Sequence, residues 1–417
     1  MNEAQTSKRM KDTSRKLPDG WRWVRLGDVI SETQAGFACG ERDPEGIVQL
    51  RMNNVDTRGN FVWNDVIRIP REGNNIEPFL LAPGDVLFNN TNSTELVGKS
   101  ALFNGFDEPI VYSNHFTRLR TIRDDLLPDI LASWLNHQWQ QGVFAAICNS
   151  WIGQSAVKAD RLLNLEIPLP PITEQRRIAG ILNEQMAALD KARAAAQARL
   201  EAVKALPAAF LRQVFLKPGQ PLSDGWRWVP LGDVLILRKD IVHPHDNPEG
   251  SSVFVGLEHI EPNTGRRLGS AKVEMSELTG RKPMFFKDDI VYGYLRPYLN
   301  KVWVAEFDGL CSVDQYVYSV NSQETVSSYV AWYMRSPLFI DNSPVGKTPG
   351  WLPRIRTEEV ASVRIPLPPL ALQQEIAQVL AEQMLSLENA RAAAEAELDA
   401  INTLPAALLR RAFGGEL

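Results

Sequence analysis

LPDGWRWVRLGDV, residues 17–29, and LSDGWRWVPLGDV, residues 222–234, agree at 11 of 13 positions across an offset of 205. Downstream, residues 167–215 return as 365–413, with 28 of 49 positions identical across an offset of 198. Between these pairs lie residues 30–166 and 235–364, similar in length and little alike in sequence. A period near 200 is too long for a solenoid unit, so the chain is one half-molecule written twice, with a copied frame and diverged contents. A pseudo-two-fold internal repeat is the fold expectation that follows.

Both copies of the later segment open on IPLPP (167–171 and 365–369), whose prolines bias the preceding residues away from helix. From Thr173 and Leu372 onward, Ala, Glu, Gln, Arg and Leu predominate, all strong helix formers. Leu182, Met186, Leu189, Arg193, Ala196, Leu200 and Val203 alternate steps of four and three, as do Leu380, Met384, Leu387, Arg391, Ala394, Leu398 and Ile401. That is a heptad seam. Arg193 and Arg391 are its odd members, and Ala192 or Ala390 can take the seam there as the helix drifts. Each helix could pack on its own neighbouring domain. The position-by-position match of the seams favours mutual pairing, which is antiparallel if a two-fold relates the halves. Pro207 and Pro405 should stop or kink each helix near Leu206 and Leu404, leaving a short second helix to Phe215 and Phe413. About 32 residues at 1.5 Å each make a rod of roughly 48 Å.

The diverged stretches share a faint skeleton. Alternating apolar residues bounded by Gly, Pro and Asp predict strands within 82–88, 97–103 and 110–119, and again within 286–292, 300–304 and 311–320. Helical spacing follows at 129–139 and 327–339, with Trp134 and Trp332 inward. Each stretch thus reads as a mixed α/β domain. In NNTNSTE (89–95), Asn89, Asn90, Thr91, Asn92 and Ser93 set amides and hydroxyls straight after a strand, where they can read base edges through paired hydrogen bonds. A plain polar turn has the same composition. The counterpart GYLRPYLNK (293–301) offers Tyr294, Arg296, Tyr298 and Lys301, a planar donor fork with aromatic faces and a point charge. Asn149, Ser150, Gln154 and Lys158 precede the first frame helix; Lys347, Thr348, Arg354 and Arg356 precede the second. Lys158 and Arg356 correspond at the 198 offset, where a phosphate contact and a solvated surface charge both fit. With Lys99 added, these side chains form the candidate DNA-contacting set, apart from Asn149, Ser150 and Thr348.

The longest apolar runs fall far short of the roughly 20 residues a bilayer needs, and the tail 1–16 is too polar for a secretory signal. A cytoplasmic protein without a membrane partner is expected. Cys39, Cys148 and Cys311 stand alone, as free thiols do in a reducing compartment. A net charge of −5 argues against wrapping nucleic acid by bulk electrostatics, and leaves room for a basic face or for partners that share the phosphate load. Gly98-Lys99-Ser100 and Gly346-Lys347-Thr348 resemble the end of a phosphate loop, but Ser93 and Asp341 stand where its first glycine belongs. His243, His245 and Asp246 lack a second cluster to complete a metal site. With no GxSxG, no HExxH and no convergent acid, base and nucleophile, the chain is expected to be non-catalytic, with no cofactor or metal of its own.

Taken in order, GWRWVRLGDV and GWRWVPLGDV, then PGDVLF and KDDIVYGYLRPYLNK, then IPLPPITEQRRIAGIL and IPLPPLALQQEIAQVL carry a family likeness. The chain resembles the specificity (S) subunits of type I restriction-modification systems over all but its first 16 residues. The resemblance implies an α+β fold in which 17–166 and 222–364 are target recognition domains, each reading half of an asymmetric bipartite site in double-stranded DNA. Residues 167–215 and 365–417, with 216–221 as linker, would form an antiparallel coiled-coil spacer that sets the gap and docks two modification subunits. Leu182, Met186, Leu189, Leu200, Val203, Leu380, Met384, Leu387, Leu398 and Ile401 would be its pairing residues. The modification subunits would bind S-adenosylmethionine and methylate adenine; two restriction subunits would use ATP and Mg to translocate and cut. A two-domain protein-binding scaffold is the competing class, and the acidic charge is its support.

Overall fold

The computed structural model describes residues 17–73, 75–217, 219–246, 248–343 and 353–417. The tail 1–16, Lys347 and Thr348 lie outside them. The described chain divides into two compact units: residues 17–195 with 397–417, and residues 196–396. Each therefore joins the start of one frame helix to the end of the other.

In the first unit the repeated motifs meet. Strand Arg22–Arg25 pairs antiparallel with Glu166–Leu169, placing Trp23 opposite Pro168 and Val24 opposite Ile167. A two-stranded ribbon has only edges, so prolines that lack an N–H are tolerated in it. The copied frame is thus a clasp that brings the two ends of the inserted domain together. Gly20, with φ +82°, lies against the ring of Pro171, a left-handed backbone that favours glycine. Inside the clasp, a four-stranded sheet runs in the order Ile30–Ala35, Phe116–Thr121, Val86–Asn89, Ser100–Leu102. Helix Pro128–Gln140 packs on it, burying Trp134, Leu131 and Leu135 against Phe88 and Leu119. A second sheet, Ile67–Ile69, Ile47–Leu50 and Ile110–Tyr112, contains one parallel pair.

The second unit repeats this plan. Ribbon Arg227–Pro230 with Arg364–Leu367 closes it. Its four-stranded sheet has the matching order Leu235–Leu237, Gln315–Val320, Ile290–Gly293, Val302–Val304. The other sheet has grown to five strands and keeps the parallel pair, Ser251–Val255 with Gly309–Cys311. The helix expected over 327–339 is broken into Ser327–Arg335 and Pro337–Asn342, because Pro337 drives Ser336 out of helical backbone. Trp332, expected inward, is half-buried beneath the Arg335 guanidinium, 4.5 Å from its ring. Tyr329 and Tyr333 hold the core position instead, their hydroxyls donating to the ribbon carbonyls of Pro366 and Arg364.

The frame helices span Ile172–Val214 and Leu370–Gly414, 43 and 45 residues, so each is roughly 65 Å long. Neither stops at its proline, so the separate short helix expected beyond it is instead a continuation of the same helix. The lost hydrogen bond is outweighed because the turns beyond it are held by packing: Leu408, Leu409 and Ala412 share a core with Ile178 and Leu182, and Leu211 and Phe215 with Ala377 and Leu380. Within the first unit the two segments run antiparallel, since Arg177 donates to the Leu417 carbonyl while Leu189 and Asp190 share a cleft with Pro405 and Leu409. Along both helices the heptad positions are the sheltered ones. Leu182, Ala196, Leu200, Leu380 and Ala394 are buried, and Met186, Leu189, Val203, Met384, Leu387, Leu398 and Ile401 are half-buried.

Gln175 and Gln373, one turn into each helix, went unremarked in the sequence. Both are fully buried. Gln175 donates to Asp125 and Pro170 carbonyls and accepts from Leu127 N–H; Gln373 donates to Glu324 and Pro368 and accepts from Val326 N–H. Each satisfies backbone groups that a buried turn would otherwise leave bare.

Candidate nucleic-acid interface

The polar loop of the first unit meets the segment before its frame helix. Hairpin strands Asn149–Trp151 and Gln154–Ala156 extend from Thr91–Asn92, with Ser155 opposite Asn92 and Ala156 opposite Thr91. Stretches some sixty residues apart in sequence therefore share one face. On it Gln154 and Lys158 are exposed, and Asn90, Thr91 and Ser93 are half-exposed. Asn90 has both amide N–H groups committed, to the Asn114 carbonyl and to Thr117 Oγ1 (3.2 and 3.0 Å), and its oxygen, which accepts from Thr91 Oγ1, keeps one lone pair to offer a ligand.

Three members of the expected set brace the loop instead. Asn89 is fully buried, its amide donating to the Thr91 and His115 carbonyls at 3.1 and 2.9 Å and its oxygen accepting from Asn92 at 2.7 Å. Asn92, also buried, accepts from the Ser93 N–H. Both N–H groups of Asn89 are spent internally and Asn92 is buried with its oxygen engaged, so neither presents its amide to a base edge. Lys99 is buried and donates to the Met52 and Val55 carbonyls; burial pushes its ammonium below the usual lysine range. It ties a strand to the 3-10 turn Met52–Asn54.

The second unit builds the equivalent face from different chemistry. Leu295 bridges Arg354 antiparallel, Arg296 N–H donates to Pro353, and Ile355 N–H donates to Tyr294. Arg296, Arg354 and Arg356 are exposed, and Tyr298 is 54% exposed. Arg296 and Asn300 both hold left-handed backbone, φ +48° and +46°, on either side of Pro297. Backbone strain of this sort concentrates where a loop is shaped for contact. Tyr294 stacks on Tyr316 with ring centres 4.4 Å apart. Burial, with Asp314 beside it, pushes the Tyr294 phenol up, so it stays a neutral donor. Lys301 repeats the role of Lys99, donating to the Leu257 carbonyl, and burial lowers its ammonium too. It braces rather than projects.

Sequence reasoning missed Trp151 and Ile152 at the hairpin tip, 62% and fully exposed. Only pairing of the flanking strands revealed them as a tip. Arg281, close enough to Tyr294 to act on its phenol, was missed likewise. Among the described residues no group of three or more His, Cys, Asp or Glu could hold a metal, and no helix is long and apolar enough to cross a membrane.

Residues 18–199, which hold the first ribbon, its inserted domain and the start of the first frame helix, match the family described as the type I restriction modification DNA specificity domain. Over 96% of its length the chain is 23% identical to the type I restriction enzyme EcoDI specificity subunit of Escherichia coli, covering 90% of that protein. Among solved structures, a chain from the work on complex assembly and conformational transition of the type I R-M system superposes with a TM-score of 0.76 at 23% identity, covering 96% of this chain and all of the other. The HsdS subunit from Thermoanaerobacter tengcongensis gives 0.60 at 24% identity, covering 97% and 100%. Residues 18–199 thus match a type I DNA specificity domain, and nearly the whole chain is similar to type I restriction enzyme specificity subunits. In this chain the repeated motifs fall on the ribbons and helix starts, and the two exposed faces fall on the inserted domains.

Proposed function

We propose that this specificity subunit reads an asymmetric bipartite site in double-stranded DNA, one half with each inserted domain, and catalyses nothing itself. The observation that carries the reading is that two units of one strand order present, at the same topological place, an amide-and-hydroxyl face and an arginine-and-tyrosine face. Asn90, Thr91, Ser93, Gln154 and Lys158 form the first face; Tyr294, Arg296, Tyr298, Arg354 and Arg356 form the second, with Lys347 a further candidate. Amides pair well with adenine edges and guanidinium groups with guanine. Lysine and arginine at 158 and 356 would take phosphates, which position the reader without specifying sequence.

The frame helices then serve as spacer, paired through the residues of the heptad seam, and as docking surface for two modification subunits. S-adenosylmethionine sits on those subunits, and ATP and Mg on two restriction subunits, all in the cytoplasm. The acidic chain leaves part of the phosphate load to its partners. Half-sites should lie about one helical turn apart, roughly 34 Å centre to centre.

The test is to co-express the chain with its methyltransferase subunits and map methylated adenines by single-molecule sequencing. Two unlike half-sites at one fixed gap are expected, and inserting residues in a frame helix should change the gap while both half-sites persist. A single continuous motif, or an unchanged gap in the insertion variant, would refute the reading.

A further inference from the structure

Each heptad seam contains one arginine where an apolar residue belongs, and in each unit it stands at the edge of a charge cluster shared by the helix and a hairpin. In the second unit Arg391 reaches Glu261 at 3.3 Å. Glu261 lies in a hairpin closed by the bridge between Ile260 and Arg267, and Arg266 of that hairpin pairs with Glu261 at 3.1 Å and with Glu388 of the helix at 2.5 Å. In the first unit the corresponding hairpin is closed by the bridge between Val55 and Phe61. Its Arg58 pairs with Asp56 at 2.9 Å and with Asp190 of the helix at 2.6 Å, while Arg193 lies 3.7 Å from Asp190. Asp190 with Glu388, and Arg193 with Arg391, correspond across the 198 offset. The hairpins differ in length and sequence, yet in each a hairpin arginine bridges a hairpin acid to a helix acid, Arg58 to Asp190 and Arg266 to Glu388, and in the second unit Arg391 adds a second link to Glu261.

Both hairpins also carry a glycine that a side chain would displace. A Cβ on Gly59 (φ +82°) would fall 2.2 Å from the Asn136 amide, and one on Gly265 (φ +68°) would fall 2.1 Å from the Val302 carbonyl. The hairpin is seated closely in each unit, and seated before its charges are counted.

We infer that these two four-charge clusters are clamps that set the angle at which each reading domain stands on its frame helix, and so hold the gap between half-sites to one value. The inference rests on the proposed DNA reading. The ribbon and Gln175 secure the domain at the start of the helix, and Asp190 stands 18 residues beyond Ile172, about 27 Å along it. A body held near one end can swing, and a second contact far from the first removes that swing. One base pair is about 3.4 Å of duplex, so a tilt of some seven degrees over this lever spans one base-pair step. Partly exposed pairs add little stability. Their direction, rather than their strength, is what the duplication has kept.

The experiment compares Arg58→Glu, Arg266→Glu and the full charge swap Asp56→Asn/Arg58→Glu/Asp190→Arg/Arg193→Glu, which leaves no like charges adjacent, with the parent, each co-expressed with the methyltransferase subunits in cells carrying a random-sequence plasmid library. Methylated adenines are mapped, and thermal unfolding of each variant is recorded. Single reversals should raise the share of methylation at gaps one base pair longer or shorter by about fivefold, the scale of one lost ion pair. The half-site sequences should stay as they were, and the swap should return the gap to its parental sharpness. Reversals that keep the parental gap distribution, that change the bases read, or that the swap fails to correct overturn the clamp. A parent that shows no bipartite motif overturns the DNA reading and the clamp with it.

Discussion

The first inserted domain offers amides, hydroxyls and an apolar hairpin tip where the second offers three guanidinium groups and paired tyrosines. Behind these faces the two are nearly interchangeable: the same ribbon, the same order in the four-stranded sheet, the same buried glutamine at the helix start and the same lysine tied to a 3-10 turn. The contrast teaches that backbone satisfaction and core packing tolerate few solutions, whereas a solvent-facing loop need only leave its donors free.

If the frames are truly equivalent, matched core truncations should cost the same. Leu182→Ala and Leu380→Ala each remove a buried leucine from the junction of helix and domain, and each should cost about 2 to 5 kcal/mol. Denaturant unfolding of the two variants checks this, and a cost confined to one would break the equivalence. The faces should instead respond one at a time. Arg296→Ala is expected to weaken discrimination at the second half-site alone by about 1 to 3 kcal/mol, read by methylation mapping; equal loss at both halves would refute the division of labour.

The bracing lysines sharpen the line between frame and face. Lys99→Met and Lys301→Met should each cost about 1 kcal/mol of stability by stripping bonds from backbone carbonyls, and should leave the salt dependence of DNA binding by the assembled complex unaltered. A shallower salt slope would return them to the interface. The smallest effect is that of acid. Burial works against ionisation of Glu32 and Glu261, but hydrogen bonds from Arg120 and Arg118, and from Arg266 and Thr264, outweigh it and hold both below the usual carboxylate range. Groups lowered in the folded state stabilise it above their unfolded value and lose that contribution as pH falls through the folded one. Melting temperature should therefore be insensitive to these groups between pH 6 and 8 and fall on acidification, in both units alike.

Much of this was legible because it was periodic or repeated. The heptad steps from Leu182 to Val203 pick out the sheltered face of the helix, since 3.5-residue spacing places those side chains on one side whatever they touch. Of the stop or kink expected at Pro207, the stop does not occur, because a proline penalty is local, and the packing of buried Leu211 and Phe215 beyond it is not. Likewise NNTNSTE looks uniformly polar in sequence, and nothing in it separates Asn89, buried with its amide spent on His115, from half-exposed Ser93.

By itself, then, the chain's sequence determined that the molecule is a duplicated frame with two unlike inserts, because repetition, helix-forming composition and heptad spacing are properties of neighbours along the chain. Tertiary structure alone decided that the repeated motifs clasp each other as a ribbon, that Asp190 and Arg391 each meet a charge of a hairpin, and which polar side chains remain free. Those outcomes depend on partners more than a hundred residues away or on the far side of a loop, and a hydrogen bond already made within the fold is one a ligand cannot use.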